Sequence, residues 1–237
     1  MSASESISPR IYVVEGNIAA GKSTLCKNLE EKMNAKAFFE PVEENPFLTC
    51  FYENPREWAF QLQVWFLNKR MQLYVEALRY SMRNNTTVII DRSILGDYAF
   101  GLANYDSGNM DNADFYAYQA LWESGLALMR RFPPTCIIYL QVAPLECQRR
   151  ITDLRKRSCE MGIPLSYLQK LDSTYKRVLH WALSDSSNLA KSIHFVDWNS
   201  FGLRDNTLEK TISLLESSKD PPLFIPSPED AIHLIST

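Results

Sequence analysis

With 237 residues, 46 % of them hydrophobic and 22 % charged, the chain has the size and makeup of one large α/β domain that can bury its own core. A formal charge of −3 gives no global electrostatic case for nucleic acid or anionic lipid, and no apolar run approaches the roughly 20 residues of a spanning helix. Five scattered cysteines, Cys26, Cys50, Cys136, Cys147 and Cys159, form no C-x-x-C pair, which argues against a disulfide framework or zinc site and for a reducing, cytoplasmic setting.

The first ten residues, MSASESISPR, carry neither an apolar stretch nor an Arg-rich pattern, as a secretory or transit peptide would. Short β-rich runs then recur at 11–14, 37–39, 88–90, 136–142 and 193–196. Between and after them, apolar spacing predicts helices over 23–33, 56–83, 94–103, 112–131, 145–157, 165–183 and 205–217. This alternation predicts a five-stranded parallel sheet wrapped by helices. Pro55 and Pro164 fit helix first turns, and 104–112 (NYDSGNMDN) reads as an exposed connection. One domain over 1–237 is expected, with 1–9 and the proline-bearing tail from about 219 peripheral or flexible.

The run Ile11–Val14 feeds Gly16-Asn17-Ile18-Ala19-Ala20-Gly21-Lys22-Ser23, which fits G-x-x-x-x-G-K-[ST] and continues into Thr24. Glycines let backbone N–H groups turn inward around phosphate oxygens, Lys22 supplies a cation and Ser23 a ligand for Mg²⁺. A Gly-bearing strand-to-helix turn would explain the glycines but not Lys22. Two acids leave strand tips on the same rim. Glu40, in Glu40-Pro41-Val42, is placed to accept a proton from an attacking hydroxyl. Asp91-Arg92-Ser93 offers a Mg²⁺-supporting acid and an arginine for phosphates or a transferring oxygen, unless Asp91 simply caps the next helix. Arg149, Arg150, Arg155, Lys156 and Arg157 make a basic helix end. It is either a solvated face, with Asp153 and Arg157 paired at i,i+4, or a lid whose arginines close over a phosphate.

These motifs in order, "EGNIAAGKST", "EPV", "FYENPREWAFQLQVWFLNKR", "DRSILGD" and "RKRSCEMGIPLSYLQKL", resemble the deoxynucleoside kinases across residues 10–201. The resemblance implies a P-loop kinase fold with an Arg-rich lid and transfer of the γ-phosphoryl group of ATP, with Mg²⁺, to the 5′-hydroxyl of a deoxyribonucleoside. It makes Glu40 the general base, Arg92 the arginine beside it and Asp91 the Mg²⁺-supporting acid with Ser23. Tyr52 and Glu160 would hold the sugar 3′-hydroxyl, Gln63 would read the base edge, and Leu48 and Trp58 would wall the base pocket. Arg155 and Arg157 become lid residues, and "VDWNSF", with Asp197 and Trp198, becomes the loop at the ATP adenine. The lid helix is one residue longer than in the animal deoxycytidine kinase pattern, and Phe66 is bulkier than the small residue of cytidine-type pockets.

Arg70 and Asp97 resemble the deoxycytidine and deoxypurine pattern and disfavour thymidine, because a charged fork crowds the space of the thymine methyl. The stretch from "EENPFLTCFYENP" on points to a deoxypurine, deoxyadenosine ahead of deoxyguanosine, with deoxycytidine open. The resemblance also implies a homodimer through 112–131 and a partner helix, and feedback inhibition by an end-product triphosphate. Two rivals stand beside it. A thymidylate-type nucleoside monophosphate kinase would share the loop and lid but need cations for the acceptor's own phosphate. A non-catalytic kinase-like subunit would be free to lose Lys22, Glu40 or the lid arginines, all of which are present. His180, His194 and His233 share no ligand spacing.

Overall fold

Five parallel strands in the order β2-β3-β1-β4-β5 form the centre of the chain: β1 (Ile11–Gly16), β2 (Lys36–Phe38), β3 (Val88–Asp91), β4 (Cys136–Gln141) and β5 (Ile193–Asp197). The computed structural model describes residues 10–183, 189, 192–200 and 206–217. Strands β1 and β3 are buried along their whole length and β4 along all but Gln141, as expected where helices cover both faces of a parallel sheet. The connections between strands carry α1 (Lys22–Met33), α2 (Leu48–Glu53), α3 (Pro55–Asn84), α4 (Ile94–Asp106), α5 (Asn112–Arg131), α6 (Pro144–Arg150) and α7 (Leu165–Ala182), and α8 (Thr207–Ser217) follows β5. Register pairs Val14 with Asp91 and Gly16 with Leu140. All strands point the same way, so the phosphate loop, Glu40 and Asp91 emerge on one rim, where α/β sheets bind ligands.

Four differences from the sequence reading have local causes. Helix α2 was not predicted: it is six residues long and buries only Leu48 and Phe51, too short to show a helical period. The helix expected over 145–157 ends at Arg150, and Ile151–Arg155 is wound as a wide π-turn closed by Lys156 at φ 50°. A π-turn takes up one residue more than α-helical winding. Within 104–112, α4 runs on to Asp106, Asn104 is fully buried and Met110 is 2 % exposed, so this connection is pinned to the core at two points. Ser93, not Asp91, caps α4, accepting from the Leu95 N–H at 3.2 Å. Pro55 opens α3 and Pro164 takes the cap position of α7.

Helix α5 keeps the predicted bounds, and Asp111 caps it by accepting from Asp114 N–H at 2.8 Å. Phe115, Tyr118, Trp122, Leu126 and Met129 face the core, whereas Tyr116 and Leu121 are exposed. Among the described residues no helix is long and apolar enough to cross a membrane. Residues 1–9, the tail from 218, His233, Asp205 and Phe201 lie outside the described residues.

Candidate active site

The phosphate loop is built by three left-handed backbone positions, Gly16 (φ 151°), Ala19 (φ 55°) and Gly21 (φ 100°), which turn the chain from β1 into α1. At Gly16 a Cβ would lie 3.3 Å from both Ala20 Cβ and the Leu140 carbonyl oxygen, so glycine suits both the angle and the space. The Lys22 ammonium donates to Asn17 O at 2.8 Å, and the Asn17 amide donates to Leu168 O at 2.9 Å, anchoring the loop on α7. A cleft of about 630 Å³ opens above it, lined by Ala19, Gly21, Lys22, Ser23 and Thr24 on one side and by Glu40, Asp91, Arg92, Arg155 and Arg157 on the others. Gly16, Asn17 and Ala20 are buried and do not line it. The Ser23 hydroxyl donates to Asp91 Oδ2 at 2.5 Å, while Asp91 Oδ1 is buried with no hydrogen-bond partner among the described residues.

Glu40 sits where this cleft meets a second cavity, and lines both. Its Oε1 accepts from Arg70 Nε at 2.8 Å and from Arg70 Nη2, and its Oε2 lies 3.3 Å from Arg92 Nε. Burial pushes the Glu40 carboxyl up, but the Arg70 and Arg92 charges outweigh it and hold the group below the usual carboxylate range. The second cavity is about 50 Å³, walled by Leu48, Phe51, Tyr52, Phe66, Phe100 and Tyr167. Its polar groups are Glu40, Gln63, Arg70, Arg92, Arg155 and Glu160.

Gln63 and Arg70 share the buried face of α3, seven residues apart, and both meet Asp97. The Gln63 amide donates to the Asp97 carbonyl at 3.1 Å, Arg70 Nη1 donates to Asp97 Oδ1, and the Tyr118 hydroxyl donates to Asp97 Oδ2 at 2.6 Å. Burial pushes Asp97 up to about 6 against the pull of Arg70 and Tyr118. Nothing in helical spacing distinguishes a core tyrosine on α5 from one that, like Tyr118, donates to a site carboxylate. Trp58, predicted to wall the base pocket, instead stacks on Phe47 at 5.9 Å and does not line the cavity.

The lid run divides into parts with different jobs. Arg155 Nε and Arg157 Nη1 reach the Glu160 carboxylate at 2.8 and 2.9 Å, and Arg157 Nη2 approaches Glu43 at 3.6 Å. The expected Asp153–Arg157 pair is absent because the chain leaves α-helical winding between them; Asp153 lies 3.5 Å from Arg149 instead. Arg150 is no lid residue. Only 1 % of its side chain is exposed, and it donates to Glu146 (2.8 Å), Ala20 O (3.0 Å), Trp198 O (2.8 Å) and Asn199 O (2.6 Å). It therefore ties the phosphate loop to the segment after β5. In that segment Trp198 is fully buried, so its indole offers no face to an adenine, and Asp197 accepts from Asn199, two residues on; neither lines the phosphate cleft or the second cavity. Arg150→Met should strand these carbonyls and cost about 3 kcal/mol, a fall in Tm of roughly 6–12 °C by calorimetry.

A phosphate loop and a Ser–Asp pair at the tips of a parallel sheet in this strand order mark a P-loop fold. The deoxynucleoside kinase family model matches residues 12–217. The chain is 38 % identical over 194 residues to deoxyguanosine kinase of Dictyostelium discoideum, covering 81 % of this chain and 65 % of that protein. It is 35 % identical over 188 residues to the same organism's deoxyadenosine kinase, covering 79 % and 72 %. It thus spans just under two-thirds of the first relative and more of the second. Among solved structures, deoxyadenosine kinase from M. mycoides, with products dCMP and a flexible dCDP bound, matches with a TM-score of 0.74 at 27 % identity, over 87 % of this chain and 99 % of that one. The chain belongs to the deoxynucleoside kinase family.

Proposed function

We propose that this chain transfers the γ-phosphoryl group of ATP to the 5′-hydroxyl of a deoxyribonucleoside, with a deoxypurine preferred and deoxyadenosine ahead of deoxyguanosine. One observation carries this reading: the Glu40 carboxylate lines both the phosphate cleft and the aromatic-walled cavity, so an alcohol held in one reaches a phosphate held in the other. The loop amides and Lys22 hold the triphosphate, and Arg155 and Arg157 close over it once they leave Glu160. Glu40 accepts the 5′-hydroxyl proton, and Arg92 holds the carboxylate and the attacking oxygen in place. The transition state is loose, so most of the rate comes from positioning and charge neutralisation. Ser23 and Asp91, with its unpartnered buried oxygen, suit Mg²⁺, which keeps several waters and phosphate oxygens and needs few protein ligands. When bound, that ion neutralises charge on the transferring phosphate.

Nucleoside pockets are several hundred Å³, so a cavity of about 50 Å³ must expand for substrate. Helix α2 and the Ser158–Glu160 turn, which bring Tyr52 and Glu160 to its wall, are short elements suited to that movement. Tyr52 and Glu160 then take the sugar 3′-hydroxyl, and Gln63, Arg70 and Asp97 read the base. Exposed Tyr116 and Leu121 on α5 support a homodimer through α5 and α3. We read the chain as one cytoplasmic domain, with end-product triphosphate as its feedback inhibitor.

The test is an acceptor panel with ATP and Mg²⁺: four deoxynucleosides and thymidylate. A 5′-monophosphate formed fastest from deoxyadenosine or deoxyguanosine is expected; phosphorylation of thymidylate alone would instead establish the monophosphate kinase reading. Base reading should also depend on pH. Asp97 is ionised above about pH 6 and protonated below it, losing its charge pairing with Arg70. Thus kcat/KM for the deoxypurine should fall about tenfold per pH unit below 6. In Asp97→Asn that acid limb should be flat, on a lower baseline.

A further inference from the structure

Arg92 is held by an arrangement that the proposed mechanism leaves unexplained. Its backbone is left-handed (φ 73°), a conformation that costs a non-glycine residue energy and persists only where neighbours fix it. The backbone N–H donates to Val14 O at 3.0 Å. The guanidinium donates through Nη1 to Gly16 O at 2.9 Å and to the Tyr175 hydroxyl, and lies 4.8 Å over the Phe100 ring. The Tyr175 hydroxyl in turn donates to Glu15 Oε2 at 3.1 Å.

Glu15 is itself fully fixed. Its Oε1 accepts from Ser93 N–H (2.8 Å), the Ser93 hydroxyl (2.7 Å) and Gly96 N–H (3.1 Å), all at the first turn of α4. Glu15 and Tyr175 are fully buried. There is no slack at this junction: a Cβ on Gly96 would lie 2.3 Å from Glu15 Oε2 and 2.7 Å from the Tyr175 hydroxyl. The chain Arg92–Tyr175–Glu15 thus joins the end of β1, the start of α4 and the middle of α7 at the arginine beside Glu40 Oε2.

We infer that Tyr175 and Glu15 are positioning residues for phosphoryl transfer: Tyr175 fixes the Arg92 guanidinium against Glu40, and Glu15 orients the Tyr175 hydroxyl while countering the Arg92 charge. The charge matters because Glu40, a partner of Arg92, becomes neutral when it takes the substrate proton. Glu15 then remains as the anion linked to the guanidinium. The inference rests on the kinase reading above. It predicts that losing the hydroxyl lets Arg92 swivel away from the attacking oxygen, while the nucleoside cavity, which neither residue lines, stays as it is.

The experiment is a double-mutant cycle in the full chain, with ATP and deoxyadenosine, on Tyr175→Phe, Arg92→Met and the pair, with Tm measured alongside. Tyr175→Phe should lower kcat about tenfold or more with nucleoside KM within about threefold, and lower Tm by several degrees because Glu15 and Arg92 lose a buried partner. On the Arg92→Met background the same change should cost less than about twofold, since the group it positions is gone. Glu15→Gln, which keeps an oxygen for the α4 donors but cannot accept from Tyr175 on its amide side, should show the same pattern and carries the cycle if Tyr175→Phe does not fold. Equal losses from Tyr175→Phe with and without Arg92, or kcat within about twofold of wild type, would overturn the role. A wild-type chain that phosphorylates no deoxynucleoside overturns the kinase reading as well; an active wild type with silent variants overturns only this inference.

Discussion

Glu40→Gln should lower turnover by about 10²- to 10⁴-fold while nucleoside affinity stays within about fivefold, the pattern of a lost proton acceptor. Glutamine is the informative replacement. Glu40 lies between Arg70 and Arg92, and in Glu40→Ala two buried guanidiniums lose their shared carboxylate. Such a loss costs several kcal/mol in its own right, so the alanine variant should be both inactive and less stable. The amide keeps an oxygen for Arg70 and separates the two effects. Single-turnover transfer from ATP, with equilibrium binding of the deoxynucleoside, gives both quantities. Turnover within about threefold of wild type would mean that the proton leaves by another route.

Lys22→Met should lower kcat by about 10²- to 10³-fold and weaken ATP binding, with the nucleoside site little affected, because the ammonium faces the phosphate cleft and not the aromatic cavity. A second consequence concerns protons. Burial and the nearby Arg92 guanidinium pull Lys22 down to about 7, so at pH 8 much of it is neutral before nucleotide arrives. The triphosphate's charge favours the ammonium, and ATP binding at pH 8 should take up about one proton per site. Calorimetry in buffers of different ionisation enthalpy measures that uptake, and it should vanish in Lys22→Met. The sign is definite: ATP affinity rises as pH falls toward 7.

The sheet was legible because most strands are short runs rich in β-branched residues and the longer crossover helices repeat their apolar residues at helical spacing. The phosphate loop was legible because glycines, lysine and serine at fixed offsets have few other uses. Elements whose form depends on partners far along the chain were not. Helix α2 is too short for a period. The end of α6 depends on a π-turn that no residue type announces. Arg150 sits in a basic run that reads as either a solvated face or a lid, yet its acceptors lie 130 and 48 positions away at Ala20 and Trp198. Glu15 carried one overlooked signal, a carboxylate in the otherwise apolar strand leading into the loop; its partner Tyr175 is 160 positions on. Tyr118 gave no signal at all, since its hydroxyl meets Asp97 from a position that packs like any core aromatic.

The central claim is spatial: the Glu40 carboxylate serves the primary alcohol of a nucleoside facing a triphosphate in the cradle. A crystal structure of the chain with deoxyadenosine and a non-hydrolysable ATP analogue measures this directly. The account predicts a Glu40 oxygen within about 2.6–3.2 Å of the nucleoside 5′-oxygen, with that oxygen aimed at the γ-phosphorus. A Glu40 carboxylate still held by Arg70 and Arg92, more than about 5 Å from the 5′-oxygen in the closed complex, would contradict it.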